Sequence, residues 1–100
     1  MKVDFNRVLY GLDGKPLLTP EGNELTLRKV CSDALVIGLE SDRETSGEEK
    51  LKRYLLGVDI YSSIYPLDVT VEQIALIKKL IEKGFPSPLV SGQAWKMLEE

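Results

Sequence analysis

The acidic segment at residues 40–49, "ESDRETSGEE", comes closest to a chemical site by residue type and spacing. Asp42 and Glu44 occupy the first and third positions of a twelve-residue calcium loop, and Gly47 occupies the sixth. The twelfth position of such a loop should hold a bidentate glutamate, but here it holds Arg53. A cation at that position would repel Ca²⁺, so we expect no metal site in this segment.

Other reactive side chains are scarce. The 100 residues include no histidine and one cysteine, Cys31. Without histidine there is no Ser-His-Asp triad and no Cys-His pair, and one thiol cannot hold zinc or an iron–sulfur cluster. Gly14-Lys15 is followed by Pro16 instead of serine or threonine, so it is not a phosphate loop. The sequence therefore predicts a protein without catalytic residues or cofactors.

The charge balance is unfavourable for nucleic-acid binding. Thirteen basic and 16 acidic residues give a net charge of -3, whereas domains that neutralise phosphates are usually basic. The basic clusters at residues 50–53 and 78–79 lie beside carboxylates, and we interpret both as solvated helix surfaces. No signal peptide or membrane-spanning run is apparent, and a single cysteine suits a reducing compartment, so a cytoplasmic location is expected.

The N-terminal arm, residues 1–19, has the pattern of β-structure. Val3 and Phe5 alternate with polar residues, as in a half-buried strand. Asp13-Gly14 is flanked by apolar residues and favours a tight turn between two strands. A short hairpin is marginally stable alone, so this arm must pack on the rest of the chain or pair with another chain.

Residues 26–98 have the pattern of four helices, near 26–38, 47–64, 70–83 and 87–98. Two starts have capping-box spacing, Ser46 with Glu49 and Thr70 with Gln73. Apolar residues at helical spacing predict the buried faces of the first and third helices: Leu27, Val30, Cys31, Ala34 and Leu35, then Ile74, Ile77, Leu80 and Ile81. Cys31 lies within the first face, which favours a core thiol over a nucleophile.

The second helix has apolar residues on two sides. One stripe comprises Leu51, Tyr54, Leu55, Val58 and Tyr61, and the other comprises Leu56, Ile60 and Ile64. Two apolar sides require two neighbours, so we expect this helix to be central and the first stripe to be buried.

Aromatic residues and the arm supply the candidate binding residues. Tyrosine and tryptophan cover large areas with few rotatable bonds and are enriched at interfaces. The candidate interface residues are Tyr65, Trp95, Val3 and Phe5; for the aromatic residues, core packing is the alternative interpretation.

The order of segments "GLDGKPL", "LTL", "SGEEKLKRY", "VTVEQIALIKKLI" and "PLVSGQAWKMLE" resembles small proteins encoded by tailed phages and prophages. The resemblance covers nearly the whole chain and is most specific at residues 46–54 and 74–80. It implies a bacterial cytoplasm during infection or lysogeny and a non-catalytic role, and it supplies no functional residues.

We therefore expect a single domain, mainly α, with an N-terminal β-hairpin or arm and a compact bundle of about four helices. The leading function hypothesis is a protein–protein interaction module in virion (tail or head) assembly that binds a phage structural protein and can form a homo-oligomer. The alternatives are an inhibitor that binds a host protein and, less favoured because of the charge, a DNA-associated regulator.

Overall fold

The helix-start signals and apolar spacings give four α-helices in the computed structural model, which describes residues 1–100. The elements are β1 (Lys2–Val3), α1 (Leu27–Val36), a 3-10 helix (Glu40–Glu44), α2 (Gly47–Ser62), β2 (Leu67–Asp68), α3 (Val71–Gly84) and α4 (Pro88–Glu99). The predicted fold class, mainly α with an N-terminal β arm, is confirmed. Each predicted helix end lies within two residues of the observed one.

The predicted N-caps are present at α2 and α3, although only one forms the complete box. The Thr70 hydroxyl accepts from the Gln73 N–H at 3.0 Å, and the Gln73 side chain accepts from the Thr70 N–H at 2.9 Å. The Ser46 hydroxyl accepts from the Glu49 N–H at 3.1 Å. The Glu49 carboxylate does not return the bond and lies 3.9 Å from the Lys52 ammonium instead. The predicted second half of the α2 box is therefore wrong.

Replacing Ser46 with alanine is expected to lower the free energy of unfolding by about 0.5–2 kcal/mol, because it leaves a first-turn N–H of α2 without its side-chain acceptor. Urea denaturation followed by circular dichroism measures the change. Ser62→Ala, the same substitution at the exposed last residue of α2, is the matched control. Equal unfolding midpoints for the two variants would contradict the capping role.

The N-terminal arm is longer than predicted and reaches Thr26. The Asp13-Gly14 turn is present, with Gly14 at φ 82 and an antiparallel bridge between Tyr10 and Pro16. Three backbone hydrogen bonds then close a ring of leucines eight residues apart, in which Leu17 donates to Leu9, Leu25 to Leu17 and Leu9 to Leu25, at 2.7 to 2.9 Å. This ring holds three short extended segments together where no long strand forms.

The arm packs on the helices of its own chain. The first N–H groups of α1, at Leu27 and Arg28, donate to the carbonyl oxygens of Arg7 and Phe5. These bonds supply acceptors for backbone N–H groups that have none within the first turn of a helix. On the other side, the Gln93 side-chain amide of α4 pairs with the backbone N–H and carbonyl of Tyr10, at 2.9 and 2.7 Å.

This packing corrects the expectation that Val3 and Phe5 meet a partner. Their side chains are 7% and 1% exposed, within the core. Val3 of β1 pairs with Leu67 of β2, and the Phe5 carbonyl accepts from the Arg28 N–H at 2.9 Å, so backbone contacts to β2 and α1 hold both residues against the core. Both residues are therefore packed in the core of their own chain and are not exposed to a partner.

The core lies around α1, which contacts α2, α3 and α4. The predicted faces of α1 and α3 are confirmed, because every residue of both is buried. The prediction of a central second helix is wrong: α2 lies at the side of the bundle and packs mainly against α1. None of the four helices combines the length and hydropathy needed to cross a bilayer.

Candidate protein-binding surface

The side of α2 that faces away from α1 is apolar and exposed. We call it the outer face; its residues and exposed fractions are Leu51 55%, Tyr54 58%, Leu55 51%, Val58 42% and Tyr61 64%. Their spacing of three, one, three and three residues places them on one side of a helix. The sequence predicted this stripe as buried, and that prediction is wrong, because no second helix covers α2.

The opposite side of α2 packs against α1 and is shaped by a glycine. Leu56, Gly57 and Ile60 are buried there. A Cβ at position 57 would lie 3.0 Å from Cγ1 of Val36, which is tighter than most real Cβ contacts, so the two helices approach closely at this point. This close approach selects which apolar side of α2 turns inward.

Arg53 fixes the N-terminal half of α2. Its guanidinium donates to both carboxylate oxygens of Asp42, at 2.6 and 3.2 Å. It also donates to the carbonyl oxygens of Leu35 at 3.0 Å and Ile37 at 3.4 Å, just at and beyond the end of α1. The interpretation of residues 50–53 as a solvated surface is therefore wrong for Arg53, which is 6% exposed.

Asp42 is the centre of this contact. Besides the two bonds from Arg53, its carboxylate accepts from the Leu39 N–H at 2.9 Å and from the Thr45 hydroxyl at 3.1 Å. The Arg53 hydrogen bond first, and then the Leu39 N–H, hold the pKa of Asp42 well below its usual range. The first and twelfth positions of the rejected calcium loop thus bind each other.

Arg28 fixes the C-terminal end of α2. Its guanidinium donates to the carbonyl oxygens of Ile60 and Ser63, and to the side-chain oxygen of Asn6. Asn6 in turn donates to the carbonyl oxygen of Ile64 at 3.0 Å. Cations stabilise the carbonyl end of a helix through its dipole. Arg53 in the N-terminal half and Arg28 at the C-terminal end therefore hold α2 in place with its outer face exposed.

Further exposed apolar residues lie at the end of α1 and in the loop after α2. Val36 and Ile37, at the end of α1, are 53% and 40% exposed. Together with Tyr54 they line an open groove of about 390 Å³. In the loop after α2, Ile64 is 75% exposed and Tyr65 is 79% exposed. The structure thus leaves the predicted interface residue Tyr65 uncovered and places it three residues beyond the last residue of α2.

The other aromatic candidate, Trp95, is half-buried between α3 and α4. Its indole N–H donates to the Lys78 carbonyl at 3.2 Å, and the Lys78 ammonium lies 5.3 Å from the ring centroid. The same ammonium binds Glu99 at 3.0 Å. These contacts engage Trp95 within its own chain and away from the outer face.

Comparison with known proteins finds no relative. No protein-family profile, no curated protein and no solved structure matches this chain. The chain's own surface is therefore the basis for a functional proposal. No group of three or more histidine, cysteine, aspartate or glutamate side chains is placed to hold a metal ion, whereas the outer face is a continuous feature of one helix.

Cys31 is expected to be unreactive in the folded protein. The thiol is completely buried in α1, and burial raises its pKa to about 12, so almost no thiolate exists at neutral pH. A chromogenic thiol reagent should detect no thiol in native buffer and one per chain in concentrated urea. Rapid labelling of the native protein would contradict the core assignment.

Proposed function

We propose that the protein is a non-catalytic protein–protein interaction module that binds its partner through the outer face of α2. One observation carries the proposal: five large apolar side chains lie exposed along a helix that Arg53 holds in its N-terminal half and Arg28 at its C-terminal end. Exposed apolar patches of more than a few hundred Å² typically mark interaction sites. The two tyrosines on this face add the rigid aromatic area that interfaces favour.

The side chains of Cys31 and Asp42, which could in principle react, are instead part of the folded structure. Burial raises the pKa of the Cys31 thiol, and the hydrogen bond from Arg53 lowers the pKa of the Asp42 carboxyl. The Cys31 thiol is enclosed by the core, and the Asp42 carboxylate is saturated by hydrogen bonds from three residues. Neither group is free to meet a substrate.

The setting we propose is virion assembly in a bacterial cytoplasm, with a tail or head protein of a tailed phage as the partner. Only the resemblance noted in the sequence, at residues 46–54 and 74–80, suggests this setting; the outer face itself does not specify it. Residues 46–54 form the cap and first turns of α2, the helix that presents the outer face.

Affinity capture from infected or lysogenic bacterial cells tests the proposal. The tagged wild-type chain is compared with Tyr54→Glu/Val58→Glu, which places two charges on the outer face. The matched control is Leu12→Glu/Val71→Glu, which places two charges at residues 99% and 67% exposed outside this face. We expect the wild type and the control to capture a virion structural protein and the outer-face variant to lose it.

Two other outcomes have clear meanings. Capture of a host protein that depends on the outer face would favour the inhibitor alternative over virion assembly. Capture of the same proteins by all three chains would contradict binding through the outer face.

A further inference from the structure

We propose that the outer face of α2 pairs with the same face of a second copy of this chain, in an antiparallel two-fold arrangement. This inference rests on the proposed function, since it concerns the same surface, and it makes a second copy the occupant of that surface in place of the virion protein. It follows from the area of the surface, from the spacing of its apolar residues and from two charges on the flank of α2 beside α3.

The area matches what a stable dimer needs. The outer face together with Val36 and Ile37 comprises seven large apolar side chains, each between 40% and 64% exposed. With about 150–250 Å² for each aromatic side chain and somewhat less for each aliphatic one, their exposed area is on the order of 700 Å². A standard interface buries about 800 Å² on each partner, so this surface supplies most of one side.

The apolar residues are self-complementary in an antiparallel pairing. When two copies of α2 cross at a point half-way between Tyr54 and Val58 on the outer face, Leu51 of one copy lies opposite Tyr61 of the other, and Tyr54 lies opposite Val58. Each large aromatic side chain therefore meets an aliphatic one. A two-fold axis repeats both contacts, as in an isologous interface, where one patch serves both partners.

Two charges on the flank of α2 beside α3, where they line a groove with Glu72 and Leu76, fit the same register to within one residue. Lys52 and Asp59 are seven residues apart, so they lie two turns apart on the same flank of α2. Asp59 has no ion-pair partner within its chain, and the Lys52 ammonium has only Glu49 at 3.9 Å. The antiparallel two-fold brings Lys52 of each copy beside Asp59 of the other. A parallel two-fold pairing would place the flanks that carry these residues on opposite sides of the interface, so it would not bring Lys52 to Asp59.

Light scattering after size-exclusion chromatography, from about 1 to 100 μM protein, tests the dimer, since interfaces of this size bind at micromolar or tighter affinity. The wild type is expected to approach twice its 11.2 kDa mass as concentration rises. Tyr54→Glu/Val58→Glu should remain at 11.2 kDa, whereas the control Leu12→Glu/Val71→Glu should dimerise like the wild type. Circular dichroism establishes that each variant is folded.

A charge-swap series tests the register. Lys52→Glu alone and Asp59→Lys alone should each raise the dimer Kd several-fold, because each places like charges together at two symmetric positions. The double variant Lys52→Glu/Asp59→Lys should restore the wild-type Kd. Equal Kd values for the wild type and both single variants would overturn the antiparallel register.

Two results would overturn pairing with a second copy: a wild-type mass of 11.2 kDa at all concentrations, or a dimer that the outer-face variant leaves intact. Neither result decides the proposed function, because affinity capture tests that function separately. Capture of a different protein that is lost in the outer-face variant would still support an interaction module.

Discussion

Replacing Asp42 with asparagine is expected to lower the free energy of unfolding by about 2–3 kcal/mol at pH 7. The side chains of Arg53 and Asp42 are only 8% and 14% exposed. Asparagine removes the negative charge and leaves the Arg53 guanidinium buried beside two carbonyl oxygens that cannot neutralise it. Urea denaturation at a protein concentration low enough to exclude self-association measures the loss.

A double variant separates the ion pair from simple loss of packing. In Asp42→Asn/Arg53→Met no buried charge is left, and a flexible apolar side chain replaces the stem of the arginine. We expect this double variant to be more stable than Asp42→Asn alone, since breaking one half of a buried pair costs more than replacing both halves. If Asp42→Asn changes the stability by less than about 0.5 kcal/mol, as surface substitutions do, the anchoring role of the pair is wrong.

The same ion pair predicts how stability depends on pH. The pKa of Asp42 is lowered in the folded chain, so its contribution is fully present above about pH 5, where the unfolded-state carboxyl, with a pKa of about 3.9, is also ionised. It is lost as the pH falls from about 5 towards the lower folded-state pKa, because the unfolded chain takes up the proton first. The stability difference between the wild type and Asp42→Asn should therefore shrink from pH 5 to pH 2. A constant difference over this range would contradict the assignment.

Replacing Ile77 with alanine is expected to cost about 2–5 kcal/mol, the usual effect of truncating a fully buried isoleucine. Ile77 is 0% exposed and belongs to the face of α3 that joins the core. The matched control is Ile64→Ala, the same substitution at a side chain that is 75% exposed. Thermal and urea unfolding of both variants measure the difference. Equal stabilities would mean that the α3 face is wrongly assigned.

The parts of the fold that depend on local signals could be predicted from the sequence. The caps at Ser46 and Thr70 bond residues three positions away, and the buried faces of α1 and α3 follow from a single apolar stripe on each helix. The Asp13-Gly14 turn is equally local. Each of these features is encoded within a few neighbouring residues, so periodicity and turn chemistry were sufficient.

The orientation of α2 could not be predicted, because both of its sides are apolar and periodicity does not choose between them. The choice depends on the close approach at Gly57 and on bonds between distant residues. Arg53 reaches an aspartate 11 residues away, and Arg28 reaches a carbonyl 32 residues away. Arginine on a charged helix is typical of a solvated surface, and only the position of its partners makes Arg53 part of the interior.

The exposure of individual residues could also not be predicted from periodicity alone. Tyr65 was predicted as an interface residue and is uncovered, but the outer face of α2 was assigned to the core. Val3 and Phe5 have the alternation of a half-buried strand, which fits pairing within the chain or with a second chain. The pairing of β1 with β2, across more than 60 residues of sequence, decided that question.

Site-specific photo-crosslinking tests the central claim most directly. A photoreactive phenylalanine replaces Tyr61 on the outer face or, as the control, Leu12, which is more exposed but lies in the arm. Irradiation of infected or lysogenic bacterial cells should give a discrete covalent adduct from position 61, with a second copy or another protein, and none from position 12. Adducts of equal yield from both positions, or no adduct from position 61, would contradict the proposal that the outer face is a binding surface.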